Sequence, residues 1–148
     1  MGARKRNRAE KMKEERRNIS FAELNNCPTS PRKMRLVADL VRGEDVNKAL
    51  DILKYSNKFA SGKLEKLVMS AVANWQAKNE GKRMEEAGLY IKEISVDEGR
   101  SLKRMQPAPQ GRAYRIRKRS NHVTVVIGSR NLVEQEHEEQ ETIVENEN

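Results

Sequence analysis

The chain has 148 residues, with 30 Lys and Arg against 22 Asp and Glu, and a pI near 9.7. Charged residues make up 35% and apolar residues 36%, which allows one small core but not a chain buried along its whole length. No apolar run approaches the ~20 residues that span a bilayer, and no signal-peptide pattern follows the basic start. Cys27 has no second cysteine for a disulfide or a zinc site. We therefore expect neither a membrane protein nor a disulfide-stapled one, and a reduced intracellular compartment.

The charge is distributed unevenly along the chain. Residues 1–17 hold eight basic and three acidic residues, whereas residues 18–98 are almost balanced. Residues 99–122 hold eight basic residues and no acidic one, and residues 131–148 hold seven Glu and no Lys or Arg. The pattern predicts a domain over residues 18–130, between a basic extension that is disordered when free and an acidic, solvated tail.

One short strand and three helices are predicted in the first half. Ile19, Phe21 and Glu23 share one face of the strand, and Ser30-Pro31 begins the first helix with a hydroxyl N-cap and a proline. Apolar residues recur at helical spacing in three stripes. The first is Met34, Val37, Ala38 and Val41, ended by Gly43, and the second is Val46, Ala49, Leu50 and Leu53, after an N-cap at Asp45. The third lies in a helix from Lys58 to Asn79 and consists of Ala60, Leu64, Leu67, Val68, Ala71, Val72 and Trp75.

The apolar period changes to two in the second half. The alternating residues are Leu89 and Ile91, then Ile94 and Val96, then Val123, Val125 and Ile127. The first two pairs are out of phase, which predicts a β-bulge at residues 92–93. Pro107 to Gly111 form a turn sequence between the strands, so a hairpin is expected over residues 94–127, with its tip at residues 102–111. The predicted fold class is α+β: three helices packed on a small antiparallel β-sheet, with one very long β-hairpin extension.

This hairpin is not expected to be stable alone. Only six of the residues in 99–122 are apolar, and an isolated two-stranded ribbon is marginal in water. Its positive charges also repel each other, so we expect a polyanion to enclose it. Tyr114 is a candidate for stacking on a base, and His122 for a phosphate contact or packing. The candidate phosphate contacts are Arg100, Lys103, Arg104, Arg112, Arg115, Arg117, Lys118 and Arg119.

Two further basic clusters are weaker candidates. Arg32, Lys33 and Arg35 lie near the start of the first predicted helix, where they oppose its macrodipole, and Arg42 follows on the same helix. An external phosphate and a tolerated surface charge explain them equally well. The N-terminal cluster either docks in an RNA groove or stays mobile, and it consists of Arg4, Lys5, Arg6 and Arg8.

The sequence offers little for catalysis. The two histidines are His122 and His137, and the second lies in the acidic tail. Asp97 and Glu98 are adjacent on a strand, so their carboxylates point apart, and an ion-pair or capping role is favoured for them. No glycine-rich phosphate loop is present. We expect no enzyme, no metal and no cofactor; a hydrolase using Asp97, Glu98 and His122 is a remote alternative.

Several segments together resemble one protein family. Ser30–Gly43 is similar to the first helix of the large-subunit ribosomal protein L-twenty-two family, of bacterial type. Ala49–Leu53 and Ala71–Asn74 resemble its second and third helices. Val96–Met105 and Gly111–Val126 resemble its hairpin signature. The resemblance runs from about Ile19 to Arg130 without large gaps.

The resemblance implies a structural protein of the cytoplasmic large ribosomal subunit, present as a monomer. It implies binding to large-subunit rRNA and to neighbouring ribosomal proteins, a role in subunit assembly, and a link between the tip and macrolide resistance. It also implies that the tip lines the nascent-peptide exit tunnel and meets the nascent polypeptide. These tip residues are Leu102, Lys103, Arg104, Met105, Gln106, Pro107, Ala108, Pro109, Gln110 and Gly111. The family often has a basic residue within the last five positions, where this chain has none.

The alternative function is a free, DNA-binding architectural protein that lays the basic ribbon in a groove. Such ribbon proteins are usually dimers with a self-complementary apolar seam. The apolar stripes of this sequence are accounted for by one small core.

Overall fold

The computed structural model describes residues 3–79 and 87–130. The predicted acidic tail, residues 131–148, lies outside the described residues. No helix in the described ranges is long and apolar enough to cross a membrane. The elements are α1 (Ala3–Asn18), β1 (Ser20–Cys27), α2 (Pro31–Val41), α3 (Val46–Tyr55), α4 (Ser61–Lys78), β2 (Leu89–Glu98), β3 (Leu102–Pro107), β4 (Ala113–Lys118) and β5 (Asn121–Ser129), with a 3₁₀ turn at Pro109–Gly111. The α+β fold class is confirmed.

A three-stranded antiparallel sheet forms one side of the core, in the order β1-β5-β2. Along β5, Val123 and Val125 face inward and are fully buried. The register of β2 on β5 shifts between Ile91 and Glu93, so the predicted bulge is confirmed. This bulge lets both Ile91 and Ile94 enter the core although they are an odd number of residues apart.

Helices α2, α3 and α4 cover the inner face of the sheet. Helix α4 packs on β1 and α3, and α2 packs on β2. The predicted stripes are confirmed: all their members are buried except Leu50, which is partly buried. Burying one Leu, Val or Met side chain contributes about 1.5–3 kcal/mol, so these stripes stabilise the domain. Trp75, the largest of them, is 4% exposed.

Two local details differ from the sequence analysis. Ile19 lies just before β1 instead of on it, and the face of β1 that enters the core is that of Ser20 and Ala22. The expected side-chain caps at Ser30 and Asp45 are both wrong, because neither side chain makes a cap hydrogen bond at its helix start. A carboxylate oxygen of Asp45 instead lies 3.2 Å from a guanidinium nitrogen of Arg130, which attracts it away from the helix start.

The outer edge of β2 is covered by the segment that follows α2. The Gly43 N–H donates to Ile91 O at 3.0 Å, and the Ile91 N–H donates to Glu44 O at 3.0 Å. Gly43 has a φ of +79°, which glycine adopts without strain, and this conformation turns the chain towards the strand. An edge strand with unpaired backbone groups invites association with other chains, so this cover protects the sheet.

The N-terminal residues form helix α1, where the sequence analysis expected disorder. The segment contains good helix formers, and Arg6 pairs with Glu10 one turn later at 3.0 Å. It has no apolar face, and its described side chains are exposed. Packing therefore contributes little to this helix. The expected disorder concerns the free protein and stays a prediction.

Candidate nucleic-acid interface

The basic hairpin consists of two ladders in series. Strands β2 and β5 pair within the sheet, and β3 and β4 form a separate two-stranded ribbon. The ladders are joined by a hydrogen bond from the Gly99 N–H to Ser120 O, 2.9 Å long. Every residue of β3 and β4 is exposed. Nothing in the described part of the chain covers the ribbon.

The turn at the end of the ribbon is shorter than the predicted tip. Leu102–Pro107, the first part of that tip, is strand β3. The turn closes with a 2.8 Å hydrogen bond from the Ala108 N–H to Arg112 O. Gln110 and Gly111 both have positive φ, +62° and +71°. The turn therefore exposes a small, uncharged surface between two basic strands.

Both faces of the ribbon carry positive charge. Side chains alternate between faces along each strand, so cross-strand partners share a face. Lys103 lies directly opposite Arg117, and Met105 lies opposite Arg115. The other face mixes cations with apolar groups: Leu102, Arg104, Tyr114, Ile116 and Lys118. Met105 is 79% exposed and Tyr114 is 64% exposed, which leaves apolar surface open to a partner.

The base of the hairpin is more tightly held than the ribbon. An Arg119 guanidinium nitrogen donates to a Glu98 carboxylate oxygen at 2.7 Å, which fits the ion-pair role favoured for Glu98. The Ser120 hydroxyl donates to Arg100 O at 2.6 Å. A Cβ on Gly99 would lie 2.7 Å from Ser120 Oγ, so a larger residue here would have to displace the Ser120 side chain. These contacts fix the direction in which the ribbon leaves the body.

His122 is engaged with β1 rather than standing alone. Its Nδ1 lies 3.0 Å from the Asn25 side-chain oxygen and 3.3 Å from the Asn26 backbone nitrogen. Asp97 is its cross-strand partner in the β2–β5 ladder. The contacts favour the packing role of His122, and a phosphate contact stays a prediction.

The four basic residues of the first-helix region have different surroundings. Arg35 donates two hydrogen bonds to Val96 O, at 2.9 and 3.2 Å, and Arg42 donates one to Ile94 O at 3.2 Å. Both therefore satisfy carbonyl groups of the edge strand β2. Arg32 and Lys33 are exposed, and within the described ranges neither makes a side-chain hydrogen bond or ion pair. Of this cluster, Arg32 and Lys33 are the better placed for an external phosphate.

Helix α1 is attached to the body at its C-terminal end. Lys78 Nζ donates to Arg17 O at 2.8 Å and to Ile19 O at 2.6 Å. A lysine at a helix C-terminus also interacts favourably with the dipole. Arg4, Lys5, Arg6 and Arg8 lie at the other end, where no acidic residue compensates them in the first turn.

The structure brings together a surface that the sequence analysis did not identify. A groove separates the β1–α2 loop from the hairpin base, and Arg100, Lys118 and Arg119 contribute to one wall. Beside the loop, the side chains of Tyr55 and Phe59 are exposed at the α3–α4 corner. Both residues could have been singled out in the sequence, because they are aromatic and fall outside the apolar stripes of the predicted helices. Among the described residues, no group of His, Cys, Asp and Glu is arranged to hold a metal ion.

Comparison with known proteins identifies the family of this chain. Residues 22–128 match the family model described as ribosomal protein L22p/L17e. Large ribosomal subunit protein uL22 of Christiangramia forsetii is 69% identical, over 88% of this chain and 97% of the relative. The uL22 proteins of Flavobacterium psychrophilum and Porphyromonas gingivalis are 69% and 60% identical, over 88% of this chain and 96% and 97% of the relatives.

The family match defines the class of protein: this is a structural, non-enzymatic ribosomal protein. The chain belongs to the ribosomal protein L22p/L17e family, in its bacterial uL22 form. It is a structural protein of the large subunit of the cytoplasmic ribosome. The expectation that it is not an enzyme is confirmed by the family, and the hydrolase alternative is set aside.

Proposed function

We propose that the chain binds large-subunit rRNA chiefly through the β3–β4 ribbon. The observation that carries the proposal is the pairing of Lys103 with Arg117 on a fully exposed ribbon that has no acidic residue. Like charges directly opposite each other destabilise a free ribbon, whereas phosphate between and around them reverses the sign of the effect. Arginine also pairs with phosphate through two parallel hydrogen bonds. An enclosing polyanion is therefore the partner that this surface fits best.

Family membership favours rRNA over the alternative partner, duplex DNA. In the ribosomal case the ribbon is surrounded by RNA and needs no second copy of the chain. Its exposed apolar groups, including Met105 and Tyr114, then pack against nucleotides instead of a dimer seam.

The turn Ala108–Arg112 is proposed to line the nascent-peptide exit tunnel. Residues 108–111 of this turn are uncharged, so the surface that they form offers a passing polypeptide no fixed charge. The two cationic strands behind it remain available to rRNA. A photo-crosslinker at Gln110 is expected to label the nascent chain of stalled ribosomes, whereas one at Lys92, on the sheet, is not. Equal labelling from both positions would contradict the tunnel assignment.

Helix α1 and the exposed start of α2 are proposed as secondary rRNA contacts. The contributing residues are Arg4, Lys5, Arg6, Arg8, Arg32 and Lys33, with the hairpin-base residue Arg100. Helix α1 has no apolar face for a protein partner, and cations at its N-terminal end are unfavourable for the dipole until an anion is near. By bridging distant rRNA segments, these contacts and the ribbon would support subunit assembly.

The salt dependence of rRNA binding tests the proposed function. The variant Arg112→Gln, Arg115→Gln, Arg117→Gln removes three ribbon charges, and the control Lys48→Gln, Lys66→Gln, Lys92→Gln removes three exposed charges elsewhere. Each lost phosphate contact lowers the slope of log K against log salt by roughly 0.7–0.9. The ribbon variant should therefore bind more weakly, with a slope smaller by roughly two. If the control loses as much slope as the ribbon variant, the charge effect is nonspecific and the proposal fails.

A further inference from the structure

The corner between α3 and α4 exposes two aromatic rings. Tyr55 is 79% exposed and Phe59 is 77% exposed, although Leu53 and Ala60, close to them in the sequence, are buried in the core. A phenylalanine ring has no polar atom to present to water, so this exposure leaves a large apolar area in contact with solvent. Neither ring belongs to the stripes that build the core. Rings placed in this way are available to a partner outside the chain.

The corner is also basic. Residues 54–63 include Lys54, Lys58 and Lys63 and no acidic residue. Lys63 Nζ lies 4.9 Å from the centre of the Phe59 ring, which is a cation–π contact on an exposed ring. Flat apolar faces surrounded by cations match a partner that is anionic and carries flat rings of its own. Unpaired nucleotides have both properties.

A chain of contacts connects this corner with the ribbon. Lys63 Nζ donates to Cys27 Sγ at 3.5 Å, and Cys27 Sγ lies 3.2 Å from Thr29 Oγ1. Thr29 lines the groove whose other wall includes Arg100 and Lys118 at the hairpin base. Phe59 is thus linked to the wall of this groove through Lys63 and the buried Cys27.

We propose that Tyr55 and Phe59 form a stacking site for unpaired nucleotides of the rRNA that the ribbon binds. The proposal rests on the proposed function, because the ribbon is what brings rRNA to this chain. Stacking on aromatic side chains tolerates any base sequence and adds affinity without adding charge. The site therefore supplies an apolar contact on the body, whereas the ribbon supplies an electrostatic one.

The test compares three variants with the wild-type chain in one titration against deproteinised large-subunit rRNA. Tyr55→Ala with Phe59→Ala removes both rings, and Met69→Ala removes an exposed apolar side chain elsewhere. The ribbon variant Arg112→Gln, Arg115→Gln, Arg117→Gln reports on the proposed function. Because loss of one base stack costs roughly 5- to 100-fold in affinity, the aromatic variant should weaken binding by at least about fivefold. Its salt slope should not change, since no charge is removed.

Two results would overturn the proposal. If the aromatic variant binds like Met69→Ala while the ribbon variant binds more weakly, the ribbon function stands and the corner faces a protein neighbour instead. If the ribbon variant also binds like wild type, the proposed function fails and the stacking site fails with it. Weaker binding of the aromatic variant with an unchanged salt slope and an unchanged melting temperature supports the site.

Discussion

Lys103 lies directly opposite Arg117 in the β3–β4 ladder. Cross-strand partners have Cβ atoms about 5 Å apart, so two cations there repel each other on a ribbon that has no core. The pairing is unfavourable for the isolated chain and favourable once phosphate lies beside it. The same two residues therefore link low stability of the free ribbon to affinity for RNA.

Lys103→Glu is expected to change ribbon stability and RNA binding in opposite directions. The glutamate would face Arg117 and convert a repulsive pair into an attractive one, stabilising the free ribbon by about 0.2–1 kcal/mol. It would also place an anion against rRNA phosphate. Slower amide exchange in β3 and β4 of the free protein, together with weaker rRNA binding, is the predicted pair of results. Slower exchange with undiminished binding would contradict the account.

Arg35→Met is expected to destabilise the domain modestly. Arg35 donates two hydrogen bonds to Val96 O on edge strand β2, and a hydrogen bond contributes about 0.5–1.5 kcal/mol net. Because Arg35 is exposed, water replaces part of the loss, so the expected decrease in the free energy of unfolding is about 1 kcal/mol. Urea denaturation measures it. Arg32→Met, on the same helix, should stay within about 0.5 kcal/mol of wild type; equal losses would remove the special role of Arg35.

Gly99→Ala and Gly62→Ala are expected to have effects of opposite sign. At Gly99 a Cβ would lie 2.7 Å from Ser120 Oγ and 3.2 Å from the Ser120 carbonyl carbon. The resulting displacement at the hairpin base should cost about 1–3 kcal/mol. At Gly62, in the first turn of α4, a Cβ meets nothing within 4 Å, so alanine should stabilise by about 0.4–1 kcal/mol. Thermal unfolding of both variants checks the pair.

Lys78→Met is expected to loosen helix α1 without unfolding the domain. The substitution removes the ammonium group that binds Arg17 O and Ile19 O. Trypsin should then cleave after Arg16 or Arg17 faster than in wild type, while the melting temperature changes little. Lys66→Met removes another exposed lysine from helix α4, which also carries Lys78, and serves as the control. Equal cleavage rates in the two variants would show that Lys78 does not anchor α1.

Periodicity predicted the body of the fold, because the positions that face the core recur with the period of the helix or strand that carries them. The α4 stripe from Ala60 to Trp75 and the phase change before Ile94 both report which side chains the core accepts. Helix α1 could not be predicted in this way, since its described side chains are exposed and leave no apolar stripe in the sequence.

The hairpin was predicted from alternating apolar residues on either side of a Pro/Gly turn, but the individual roles of its basic neighbours were not predicted. Arg35 and Arg32 look alike in sequence, and only the position of α2 against β2 shows that Arg35 meets a carbonyl oxygen. The aromatic corner was missed for a related reason. The periodicity does not show that Lys63 contacts both the Phe59 ring and Cys27, next to the loop that lines the groove at the hairpin base.

A sucrose gradient of cell lysate after a high-salt wash tests whether rRNA encloses the ribbon. Wild-type protein and the variant Arg112→Gln, Arg115→Gln, Arg117→Gln are each followed in the large-subunit fraction. The wild-type chain should stay with the large subunit at one copy each, because its ribbon is enclosed by rRNA, and the variant should be lost from it. Release of the wild-type chain to the top of the gradient, or equal retention of the variant, would contradict the account.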